Sequence, residues 1–117
     1  MNPCDLMRQS LAMAEAAGAA EKLLYRPRVG RPRTILAIVE RLTPEESGHG
    51  AAPVLHVTAV NAAADGLFSG DPARSGVDVG GDQIEIALRF GGIPEKRRIA
   101  RIVPDETDAS ACCVEVR

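Results

Sequence analysis

Val79-Gly80-Gly81-Asp82-Gln83-Ile84-Glu85-Ile86-Ala87-Leu88-Arg89-Phe90, followed by Gly91-Gly92-Ile93-Pro94 and running on to Arg117, is the stretch that decides the fold. From Gln83 to Phe90 the residues alternate with period two. Ile84, Ile86, Leu88 and Phe90 fall on one face, and Gln83, Glu85 and Arg89 on the other. Successive strand side chains point to opposite faces, so the pattern predicts a strand with one buried side. Gly91 to Pro94 turns the chain and Arg97 to Val103 returns it as a second strand. Pro104-Asp105-Glu106-Thr107 turns it again. Ala111 to Arg117 forms a third strand, with Cys112, Val114 and Val116 on one face and Cys113, Glu115 and Arg117 on the other. The result is a three-stranded meander, which dictates no reaction and points toward a structural or binding role.

Upstream of the meander, Thr34 to Leu42 is a strand apolar on both faces, and Pro53 to Val60 is another. Thr43 to Gly50 between them is polar and holds Glu45, Glu46 and His49. Asn61 to Val79 is a long connection rich in Ala, Gly and Asp, with Leu67 and Phe68 as its large apolar anchors. Connections of more than about 12–15 residues are uncommon in compact domains and tend to carry function. Both loops, 43–52 and 61–79, are expected to be mobile in the free protein and to order against partners.

The first 25 residues read as a helix. Asp5 offers an N-cap acceptor for first-turn amides, and alanines at 12, 14, 16, 17, 19 and 20 carry high helix propensity. Such an Ala-rich face buries little, so the helix needs the β-core or a neighbour to lie against. Residues 26–33, Arg-Pro-Arg-Val-Gly-Arg-Pro-Arg, read as a linker in which two prolines end the helix and hold the backbone extended. The expected organisation is one domain over 1–117: helix 1–25, linker 26–33 and β-core 34–117. The fold class is mainly β, a small antiparallel barrel or sandwich of about five strands with an N-terminal α-helix.

Composition sets the limits on function. With 117 residues, 45% hydrophobic and 26% charged, the chain makes one ordinary core. Tyr25, Phe68 and Phe90 are its only aromatic residues, so aliphatic side chains must fill that core and partner burial would help stability. A net charge of −2 gives no overall attraction to DNA or to an acidic membrane. No segment reaches the roughly 20 apolar residues that span a bilayer. The start, Met1-Asn2-Pro3-Cys4-Asp5, has neither the basic opening nor the apolar run of a secretory leader, so cytoplasmic synthesis and free thiols are expected.

A catalytic or metal constellation does not emerge from the linear spacing. His49 and His56 are the only histidines, and no His-x-His or Cys-x-x-Cys pair is present. Neighbouring Cys112 and Cys113 point to opposite faces of a strand and cannot share one ion. Ser47 is too local to His49 for a nucleophilic triad. Gly80-Gly81 precedes a strand where a phosphate loop would precede a helix. The expectation is no enzyme, no metal and no cofactor. Arg26, Arg28, Arg31 and Arg33 form the one dense positive patch and are candidates to meet phosphate or an acidic partner. No aromatic residue is interleaved among them to stack on a base.

The order of these segments resembles a known family. Thr34-Ile35-Leu36-Ala37-Ile38-Val39, a polar loop and Pro53-Val54-Leu55-His56-Val57 come first. Then come Gly81-Asp82 before Ile84-Glu85-Ile86, a hairpin, Ile99-Ala100-Arg101-Ile102-Val103-Pro104-Asp105 and a last short strand. This is similar to the small head-completion proteins of long-tailed bacteriophages, the stopper or tail-attachment proteins of the lambda-like neck. The resemblance implies a virion component with a small β-barrel core and contact-making loops. It implies a homomeric ring, typically hexameric, between portal or adaptor proteins above and tail-terminator or tail-tube proteins below. Partner contacts would then fall on Arg26, Arg28, Arg31, Arg33, Glu45, Glu46, His49, Leu67 and Phe68, with the arginines in non-specific contact with packaged DNA. A tail terminator or adaptor of the same neck, or a small-barrel nucleic-acid-binding protein, are the alternatives.

Overall fold

The computed structural model describes residues 2–42, 54–69 and 76–117. Helix α1 spans Pro3–Ala16. Six strands follow: β1 (Glu21–Arg26), β2 (Arg33–Leu42), β3 (Val54–Val60), β4 (Gln83–Ile86), β5 (Glu95–Ile102) and β6 (Ala111–Val116). A 3₁₀ turn, Pro104–Glu106, lies between β5 and β6. All neighbours are antiparallel and the sheet closes on itself in the order β1-β2-β3-β6-β5-β4. The expected mainly-β barrel with an N-terminal helix is therefore the fold, and the expected meander is β4-β5-β6.

The sixth strand comes out of the segment expected to be helical. Helix α1 ends at Ala16 because Gly18 takes φ +78°, the left-handed conformation that glycine adopts without a Cβ penalty. Beyond it Leu23 and Tyr25 alternate inward while Lys22 points out. Alanine propensity lost to a period-two pattern that burial rewards. Residues 26–33 are accordingly no linker. They hold the end of β1, a tight connection and the start of β2, with Tyr25 paired to Arg33 across the hairpin. The helix cap also moves. Asn2 Oδ1 accepts from the Asp5 amide at 2.9 Å, and Pro3 starts the helix, where its missing N–H costs nothing. Asp5 pairs instead with Arg8 at 2.9 Å.

Leu23, Ile35, Val57, Ile84, Ile86, Ile99, Val114 and Val116 fill the barrel together with Tyr25, the one aromatic residue of the core cluster. Helix α1 lies against β2 and β3 and buries Leu11. Arg8 anchors it to the segment after β3, its Nε donating to Asp65 Oδ2 at 2.7 Å. The β-core is thus what the helix rests on. Leu67 and Val77, from the long connection, are core residues as well. Residues 70–75 of that connection, expected to be mobile, lie outside the described residues. The turn after β3 closes tightly, with Leu67 N–H donating to Val60 O at 2.9 Å. A Cβ at Gly66 would lie 2.0 Å from that same carbonyl oxygen, so only glycine fits there.

The alternating face expected from Ile84 to Phe90 breaks after Ile86. Ile84 and Ile86 are buried, whereas Leu88 is 40% and Phe90 72% exposed. The β4–β5 register would next place Ala87 opposite Pro94, which has no N–H to give to the ladder. The Ala87 carbonyl turns instead to Arg41, accepting from Nη2 at 3.1 Å and from Nε at 3.3 Å.

Candidate functional site

Three regions bear on function. The first is the arginine-rich β1–β2 hairpin, which is organised around a buried carboxylate. Asp82, at 0% exposure, accepts from the Tyr25 hydroxyl, from the Arg28 amide at 2.8 Å and from the Asp78 amide at 3.0 Å. Burial, then this hydrogen bond, pushes the Tyr25 hydroxyl well above its usual range, so it remains a donor. One side chain thereby ties the hairpin to the Asp78–Asp82 turn.

The four arginines consequently divide. Arg26 pairs with Glu85 at 3.3 Å. Arg33 lies 4.6 Å over the Tyr25 ring, and its Nη2 donates to Gly66 O at 2.9 Å and Phe68 O at 2.5 Å. Both are bonded within the fold, which corrects the expectation that all four form a free basic patch. Arg28, 63% exposed, lies 3.7 Å from Asp78 Oδ2, and Arg31 is exposed. Phe68 is half-buried, while Leu67 is fully enclosed in the core and is withdrawn as a partner contact. Glu45, Glu46 and His49, with all of loop 43–52, lie outside the described residues.

The second region is the tip of the β4–β5 hairpin. Arg89 O accepts from the Gly92 amide at 2.9 Å, and Gly91 takes φ +77° at the third turn position. This turn carries Leu88, Phe90 and Ile93 outward at 40%, 72% and 85% exposure. A shallow depression of about 300 Å³ lies among Leu88, Ile93 and Arg97. No sequence signal separated Leu88 and Phe90 from core, because their alternation continues that of Ile84 and Ile86, whereas Ile93 falls in the expected turn.

The third region lies on the outer side of β3 and β6 and was missed by spacing. His56 stands opposite Glu115 in the register, with Nε2 3.9 Å from Glu115 Oε1. Glu115 is 2% exposed and also meets Arg117 at 3.1 Å and Arg101 at 3.5 Å. Two residues earlier, the Cys113 thiol donates to Glu106 Oε2 of the 3₁₀ turn at 3.3 Å. Burial, the largest cause, pushes the Cys113 thiol up to about 11, so it is protonated at neutral pH. Cys4, Cys112 and Cys113 are all free thiols.

No described helix is long and apolar enough to cross a membrane. Comparison with protein-family models, with curated proteins and with solved structures finds no match for this chain.

Proposed function

We propose that this chain is a structural protein of a phage neck, a head-completion protein that joins the DNA-filled head to the tail as a homomeric ring. The observation that carries the reading is the exposed apolar hairpin tip, Leu88, Phe90 and Ile93, projecting from a closed barrel. A closed sheet has no long free edge to recruit a neighbour, so association falls to its loops and outer faces. Clustered apolar side chains on such a loop mark a protein contact. The order of elements, including the Gly81-Asp82 and Pro104-Asp105 turns, supports the same reading. In the nucleic-acid alternative all four arginines would reach phosphate, yet Arg26 and Arg33 are bonded internally.

On this reading the free protein is monomeric or weakly associating and forms its ring on the head, with Arg28 and Arg31 facing an acidic partner surface or the packaged DNA. Obligate ring interfaces bury well over about 1,000 Å². Particles made without the chain are expected to accumulate as DNA-filled heads and separate tails. Adding the purified protein should then restore joining, with ring density at the neck in electron micrographs. Tailed particles forming normally in its absence, or one copy per particle, would refute the assignment. Density nearer the tail tube would move the chain to the terminator position in the same neck.

A further inference from the structure

We propose that His56, Glu106 and Cys113 form a binding site for a zinc-class divalent ion. The three come from β3, the 3₁₀ turn and β6, and their ligand atoms all lie within 4.8 Å of one another. Imidazole nitrogen, carboxylate oxygen and thiolate sulfur are together the donor set that a borderline-soft, tetrahedral ion selects. From metal–ligand bonds of about 2.3 Å to sulfur and about 2.1 Å to oxygen, a tetrahedral sulfur–oxygen edge is about 3.6 Å. The Sγ–Oε2 separation of 3.3 Å already matches it. The His56 ligand nitrogen lies within 4.8 Å of both atoms.

Charge and burial favour the same ion. Cys113 is 0% exposed, whereas Glu106 is exposed, so an ion can enter from the solvent side and meet a preformed sulfur. Glu115, beside the His56 ring, adds a second carboxylate, although Arg101 and Arg117 share its charge. Its position suits the outer carboxylate that commonly orients a metal-bound histidine. On binding, the ion displaces the thiol proton from the Cys113–Glu106 hydrogen bond, and that proton leaves to solvent. The bound ion would clasp β6 and the 3₁₀ turn to β3, fixing the return of the last strand.

Titration of the reduced full-length protein with cobalt(II), whose charge-transfer absorption reports thiolate ligation, tests the site. The expected result is saturation at one ion per chain, about one proton released per ion, and displacement of cobalt by zinc. Cys113→Ser should abolish the thiolate band. His56→Gln and Glu106→Gln should each weaken binding by at least about tenfold, while Cys4→Ser leaves it unchanged. Glu106 is exposed, so its variant folds even where a change at buried Cys113 does not. A wild-type chain without the thiolate band would overturn the proposal. A band that survives in Cys113→Ser, or unchanged affinity in both His56→Gln and Glu106→Gln, would do the same.

Discussion

Ile84-Glu85-Ile86 and Leu88-Arg89-Phe90 are written in the same alternating pattern and end in opposite environments. The first pair of apolar residues is 0% and 1% exposed inside the barrel, and the second is 40% and 72% exposed on a projecting turn. Side-chain alternation is a property of one strand, but burial requires a partner strand on the next line of the ladder. The partner ends at Glu95 because Pro94 cannot donate, and Arg41 takes the carbonyl that the ladder leaves behind. An apolar residue in register beyond the last ladder pair is free to serve another molecule.

The comparison can be broken most directly at its buried end. Ile86→Asp would place an unpaired charge in the core and should cost several kcal/mol, enough to unfold a domain of this size. Near wild-type thermal stability in that variant would show that the two halves do not differ. Arg41→Met probes the boundary itself. It removes a paired contact to Glu21 at 2.7 Å and the donors to Ala87 O, with an expected loss of about 1–3 kcal/mol in urea denaturation. Hydrogen exchange of the 86–88 amides should rise in the same variant. Unchanged exchange would mean that Pro94 alone ends the strand.

Smaller effects sharpen the picture of the tip. Gly91→Ala forces a side chain into a positive-φ position with open space around it, so backbone strain of about 1 kcal/mol is the expected cost. No loss would indicate that the turn relaxes freely. Phe90→Ser with Ile93→Ser should change monomer stability by less than about 0.5 kcal/mol, yet, on the proposed neck role, sharply reduce head–tail joining. Full joining activity with both side chains removed would take the hairpin out of the interface. A larger stability loss would instead show that the tip packs on the barrel.

The arginine stretch repeats the lesson in polar form. From the sequence, Arg26, Arg28, Arg31 and Arg33 are four equivalent charges beside two prolines. In the fold, Tyr25 and Asp82 create a buried anchor that fixes the hairpin, and Arg33 stacks on that tyrosine. Neutralising all four would therefore destabilise the monomer, and exposed Arg31 is the cleaner probe of partner contact, since Arg28 also pairs with buried Asp78 at 3.7 Å. The metal-ligand trio was hidden for a related reason. His56 is far in the chain from Glu106 and Cys113, and only the pairing of β3 with β6 and the 3₁₀ turn over Cys113 bring the three together.

By itself the sequence determined the β class, four of the six strands closely, a fifth (β4) in its first half, and the β4-β5-β6 meander. Each rests on period-two alternation bounded by Gly and Pro, information contained within a few residues. It also placed a helix at the N-terminus, though not its end, since alanine propensity extends past Gly18 while β1 is defined by what Leu23 and Tyr25 bury. The tertiary structure alone decided barrel closure, the end of β4, the division of the arginines and the convergence of His56, Glu106 and Cys113. Barrel closure, the division of the arginines and the placing of His56 beside Glu106 and Cys113 depend on partners more than ten residues away, and local patterning carries no record of which distant segment supplies them.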